Sequence, residues 1–138
     1  MPETAGTGGG GGAGVITKPS PRSVADTVAR LLELLETKGL KVFDVIDQRA
    51  EAHRVGLDLR ATTLVVFGNP AAGTPVMVAA PLAALDLPLK LLVWADDEHG
   101  TQVSYTDPAV LAERYGLTPE LATAFEGIHN LSDALVAG

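Results

Sequence analysis

The sequence predicts an α+β fold built on a mainly antiparallel sheet, in the order β-α-β-β-α-β-β-α-α. Three observations carry that reading. The β-prone segments come in close pairs with short links, which antiparallel strands accept and parallel strands do not. Four helix starts carry a Ser/Thr/Asp-Pro pair, the signature of an N-cap followed by proline at the first helical position. Leu64–Phe67 and Leu91–Trp94 are apolar at successive positions, whereas a sheet covered on one face alternates. Either helices cover both faces or a second subunit covers one, so a homodimer is expected.

The elements follow in order. Met1–Gly14 holds seven of the 15 glycines, one charge (Glu3) and no large apolar side chain after Met1. It has nothing to bury and is expected to be a disordered tail. Residues 15–138 then form a single domain of ordinary size. Val15–Thr17 is a short strand. Ser20-Pro21 opens a helix whose Val24, Val28, Leu31, Leu32 and Leu35 make one apolar stripe, and Gly39 stops it. Lys41–Asp47 is a strand. Glu51–Asp58 is an irregular connection or a helical turn. Ala61–Phe67 is the next strand, and Thr74-Pro75 opens a helix to about Leu85. Leu87–Ala95 and Thr101–Thr106 form a hairpin across the polar turn Asp97–Gly100. Asp107-Pro108 opens a short helix ending at Gly116. Thr118-Pro119 opens the last, with Leu121, Phe125, Ile128, Leu131 and Leu135 inward.

Composition narrows function by exclusion. With no cysteine there is no disulfide, thiol nucleophile or thiolate metal site, which fits a reducing cytoplasm. The formal charge is −7, and −6 without Glu3 of the tail. No Lys/Arg cluster is present, so no nucleic-acid partner is expected. The N-terminus lacks the basic and apolar regions of a signal peptide. Ala61–Leu85 carries no charge over 25 residues, but Gly68-Asn69-Pro70, Gly73-Thr74-Pro75 and Pro81 break it into pieces far short of a spanning helix. No membrane association is expected. His53, His99 and His129 lack metal-site spacing, so neither a metal nor a cofactor is expected.

The most specific local feature is Gly68-Asn69-Pro70-Ala71-Ala72-Gly73-Thr74, between a strand and a helix. Its glycines have phosphate-loop spacing, but Thr74 stands where such a loop needs lysine, and two prolines remove backbone donors. It reads as a tight turn or as a weaker anion cradle made by Asn69, Gly73 and Thr74. Lys90 shares a strand face with Leu92 and Trp94 and could bind an anionic group or pair with Asp86. Asp44 and Asp47 fall on opposite strand faces, so they are not a carboxylate dyad; Asp47 suits a cap. No Ser-His-Asp arrangement is visible.

The segments Phe67–Met77 (FGNPAAGTPVM) and Ala83–Asp96 (AALDLPLKLLVWAD), with Val42–Asp47 and Gly56-Leu57 upstream, resemble the domain-of-unknown-function family DUF302. The likeness covers nearly the whole chain after the tail. It implies a single-copy α+β fold similar to the TATA-binding-protein class, a dimer and no known activity. It also marks Asp47, Gly56, Phe67, Gly68, Asn69, Pro70, Gly73, Thr74, Asp86, Leu87, Pro88, Lys90 and Trp94 as signature positions. Where the family commonly shows Asp-His, this chain has Asp47-Gln48, which weakens any role for a histidine there. The likeness to a DNA-binding fold class does not imply DNA binding.

Three functions follow as expectations. The first is a non-enzymatic module binding a small anionic or apolar ligand near Asn69, Gly73, Thr74, Asp86, Lys90, Trp94 and Asp47. The second is an enzyme using Asp47 or Asp86 as general base with Lys90 as electrostatic stabiliser. The third is a structural dimerisation domain without a small-molecule site.

Overall fold

A computed structural model describes residues 12–138. Of the expected tail, residues 1–11 lie outside the described residues; 12–14 form a turn into the first strand. Five strands make one antiparallel sheet: β1 Val15–Pro19, β2 Lys41–Asp47, β3 Thr62–Gly68, β4 Leu89–Asp96 and β5 Gly100–Thr106. Their spatial order is β1-β5-β4-β3-β2, so β2 and β1 are the edges. The α+β antiparallel class is as the sequence predicts.

The helices are α1 Val24–Thr37, α2 Gln48–Arg54, α3 Pro70–Ala79, α4 Pro108–Arg114 and α5 Pro119–Val136, with a 3-10 helix over Pro81–Asp86. Two of the four proline signals mark true starts: Asp107 and Thr118 cap α4 and α5. The other two are displaced. Helix α1 is capped by Ser23, whose Oγ accepts from Asp26 N at 3.0 Å, while Ser20 faces inward to hydrogen-bond Thr27 Oγ1 at 2.8 Å. Helix α3 starts at Pro70 instead of Pro75, because Asn69 caps it. Asp47 caps α2, a two-turn helix that begins at Gln48, ahead of the Glu51–Asp58 stretch expected as an irregular connection or a helical turn. Strand β4 starts at Leu89, two residues later than expected.

The core lies on one side of the sheet. Val65, Phe67, Leu91, Val93, Val103 and Tyr105 point to that side and pack against Leu31 and Leu35 of α1 and Ile128, Leu131 and Leu135 of α5. Alternation then sends Leu64, Val66, Lys90, Leu92 and Trp94 to the opposite face. A second, smaller cluster joins Val76 of α3, Ala83 of the 3-10 helix, Leu111 of α4 and Phe125 of α5. It locks the helices after β3 and β5 onto α5.

One polar network is stitched between sheet and helix. Lys18 Nζ donates to Ser132 Oγ at 2.6 Å and to Asp133 Oδ1 at 2.7 Å, and sits 5.3 Å from the Tyr105 ring centroid. The Tyr105 hydroxyl is hydrogen-bonded with His129 Nδ1 at 2.9 Å and accepts from Ser132 Oγ at 3.2 Å. Burial opposes the charge on Lys18, but Asp133 and Tyr105 outweigh it and raise its pKa above the usual lysine value.

Candidate functional site

The uncharged stretch that reads as turn and helix forms one wall of an apolar cleft. β3 ends at Gly68. Asn69 then turns the chain, and its Oδ1 accepts from Ala71 N at 3.0 Å. Pro70 is pre-set for the first helical position, where a missing N–H costs nothing. Helix α3 runs beside the Leu87–Leu89 segment, whose Leu87-Pro88 peptide is cis. A β-bulge between Val42 and Asp44 throws the half-exposed Phe43 ring over Gly68. The cleft between these parts has a volume of about 330 Å³. Asn69, Gly73 and Thr74 line it with Phe43, Met77 and Leu87.

Gly73 explains the room. A Cβ built there would meet only Leu87 Cδ1, at 3.7 Å, so the side chain that glycine lacks is open space in the cleft. The expected anion cradle does not form. Gly73 and Thr74 lie inside α3, and the amides of Ala72 and Gly73 both donate to Asn69 O at 2.9 Å. With Ala71 N held by the Asn69 side chain, these donors have no free valence for an anion. No charged side chain lines the cleft. Lys41 Nζ lies 5.1 Å from the centroid of the Phe43 ring.

The other candidates are distributed. Asp86 and Lys90 border a second, smaller cavity of about 50 Å³ that shares Leu89 with the cleft. Among the described residues Asp86 pairs with Arg114 at 2.9 Å and accepts from Tyr115 Oη, and no ion pair joins it to Lys90. The Asp86 carboxylate raises the Tyr115 pKa above the usual phenol range, because it accepts a hydrogen bond from the neutral phenol. Trp94 lies on the sheet face opposite α1 and α5 and donates from Nε1 to Ser104 Oγ at 2.9 Å. Asp47 is spent as a cap, accepting from Ala50 N at 3.0 Å. Thus Asn69, Gly73 and Thr74 converge, Asp86 and Lys90 are neighbours, and Trp94 and Asp47 stand elsewhere. Phe43, Met77 and Ala124 of the cleft were not legible as site residues. Phe43 needed the bulge, which no local signal announces.

Among the described residues no group of three or more His, Asp or Glu side chains is placed to hold a metal, and no helix is long and apolar enough to cross a membrane. Comparison with known proteins gives two kinds of match. Proteins named fluoride-specific ion channel FluC 1, from Brucella suis and Brucella abortus, are each 38% identical over 104 residues, 75% of this chain. Those residues make up 41% and 38% of the two Brucella proteins, so the chain spans about two fifths of their length. The crystal structure of an uncharacterized conserved DUF302 protein from Bacillus stearothermophilus superposes with a TM-score of 0.75 at 21% identity, covering 91% of this chain and 97% of that one. It shows the same fold. The model of the domain of unknown function DUF302 matches residues 16–135, so the chain belongs to the DUF302 family.

Proposed function

We propose that this chain is a non-enzymatic module that holds a small, largely apolar molecule in the cleft walled by α3. One observation carries this reading: a cavity of about 330 Å³, built on Gly73 and edged by Asn69 and Thr74. That volume is at the lower end of small-molecule sites and roughly twice a cavity that admits benzene. The absence of a charged lining favours the apolar ligand over the anionic one. The enzyme reading loses its basis, because the Asp86 carboxylate is taken by Arg114 and Tyr115 and Asp47 by a helix cap.

The fluoride channel named in the Brucella relatives is not carried to this chain. Fluoride is small and strongly hydrated, and holding it takes cations or convergent donors that the cleft lacks. We infer that the shared two fifths are an appended domain in those proteins, with conduction left to the remainder. The cysteine-free chain suits a reducing cytoplasm, and the sheet face opposite α1 and α5 suits a homodimer.

The test is titration with the uncharged apolar fluorophore N-phenyl-1-naphthylamine. One molecule per chain is expected to bind, and Gly73→Phe, whose ring fills the cleft, is expected to weaken binding at least tenfold with an unchanged circular dichroism spectrum. Lys90→Ala should bind as the parent does. Equal binding by Gly73→Phe removes the cleft from consideration.

A further inference from the structure

The cleft walled by α3 has an apolar interior and a rim of a different character. Pro70, Gly73, Thr74 and Met77 recur at i, i+3, i+4 and i+7, so one face of α3 lines it. Phe43 reaches it from β2.

Three donors at this rim are unspent. The Asn69 side chain gives its oxygen to Ala71 N, which leaves both N–H groups of Nδ2 without a partner among the described residues. The Thr74 hydroxyl, on an exposed residue, is in no hydrogen bond among them either. Lys41 pairs with Gly68 in the strand ladder, and Gly68 lines the cleft. Its ammonium stands close to the ring of Phe43, is exposed and forms no ion pair among the described residues. No carboxylate accompanies these donors. The chain has 17 Asp and Glu, but none lines the cleft, and Asp44 beside Phe43 goes with Val66 to the opposite sheet face.

We propose that the molecule held in the cleft is a monocarboxylate, with its apolar body in the cavity and its carboxylate at the mouth. This rests on the cleft reading above and supplies the ligand's polar end. The uncharged lining keeps charge out of the interior. At the mouth a carboxylate stays in contact with water and avoids the cost of burial. Lys41 supplies one positive charge, and Asn69 Nδ2 and the Thr74 hydroxyl donate to the remaining lone pairs. One cation matches one negative charge, which a phosphate group exceeds. The cavity sets the size of the body. About 330 Å³ is roughly twice the ~150 Å³ that holds benzene, which corresponds to roughly ten to twelve carbons, a decanoyl chain or a naphthyl ring. The anion cradle expected from sequence used the amides of the turn and Lys90. Here those amides are spent, Lys90 borders the other cavity, and the charge falls to Lys41.

Decanoate and decan-1-ol share a ten-carbon chain and differ in the charge at its end. Each is titrated at neutral pH, where the acid is ionised, into the full chain loaded with N-phenyl-1-naphthylamine. Both are expected to displace the fluorophore, decanoate at the lower concentration. Lys41→Met keeps most of the aliphatic stem and removes the charge. Asn69→Asp keeps the capping oxygen and exchanges the two N–H groups for an anionic oxygen. The ratio of decanoate to decan-1-ol affinity should fall at least fivefold in the first and at least tenfold in the second. Because the ratio compares two ligands in one variant, a general change in the cleft cancels. Lys90→Ala should keep the parental ratio. A fluorophore that does not bind the parent, or that binds Gly73→Phe equally well, ends the cleft reading and this one with it. A fluorophore held in the cleft, with a ratio unmoved by both substitutions, keeps the cleft and overturns the carboxylate.

Discussion

Phe125→Ala is expected to lower the free energy of unfolding by about 3–5 kcal/mol, the range for deleting a buried aromatic ring. Phe125 has no exposed surface and packs with Val76, Ala83 and Leu111, one residue from each of three further elements. Two of its neighbours are small, so the walls have little side chain with which to refill the space. Urea denaturation should show the midpoint falling with the slope unchanged. Leu35→Ala, in the larger cluster under the sheet, should cost a comparable ~2–5 kcal/mol. The two variants differ at the cleft. Ala124, the neighbour of Phe125, lines it, and the packing of α3 on α5 sets its depth. Phe125→Ala should therefore weaken fluorophore binding in the fully folded protein, while Leu35→Ala should leave it intact. Equal effects of both on binding would mean that the cleft depends on overall stability and not on this cluster.

Such a separation into two cores is only partly visible in sequence. The period-3.6 stripe of α1 and the inward residues of α5 are read directly, since long amphipathic helices declare their buried face. The strands are also legible, and the unbroken apolar runs of β3 and β4 signal that their second face is not ordinary solvent-facing surface. Helix α3 fails the same reading for a physical reason. Asn69-Pro70 and Thr74-Pro75 both satisfy the local rule for a helix start, and only tertiary packing selects the first. The consequence is chemical: Pro70–Thr74 move from a supposed anion cradle into a helix, and the amides of Ala71, Ala72 and Gly73 are spent.

The candidate site shows where local reasoning stops. Asn69, Gly73 and Thr74 are adjacent in sequence, so their convergence could be anticipated. Phe43, Leu87 and Ala124 reach the same cleft from a bulge, a strand entrance and a distant helix. Their meeting is a property of topology, which puts the start of β2 beside the start of β4 across the end of β3. Asp86 illustrates the opposite failure. Its proximity in sequence to Lys90 suggested a pair, but the 3-10 helix directs its carboxylate to Arg114 and Tyr115 at the end of α4.

The second large effect belongs to Lys18. Lys18→Met keeps the aliphatic stem against Tyr105 but removes the ammonium that donates to Ser132 Oγ and Asp133 Oδ1. Ser132 has no exposed surface, so its hydroxyl loses a donor that water does not replace. Ser132 Oγ keeps His129 O as an acceptor, so the expected cost is about 1.5–3 kcal/mol, the range for a lost hydrogen bond to a charged group. The pH dependence separates this from a mere loss of packing. The folded-state pKa of Lys18 is raised above the usual lysine value of 10.5, since Asp133 and Tyr105 favour the charged form more strongly than burial opposes it. Stability drawn from a raised pKa is fully present below the unfolded-state value and is lost as pH rises through the folded-state one. The gap between parent and Lys18→Met should therefore be constant from pH 6 to 9 and narrow only above about 10.5. Urea midpoints across that range measure it directly. A gap that persists unchanged at the alkaline end would assign the cost to the shape of the side chain, and one that narrows already near neutrality would place the controlling proton on another group.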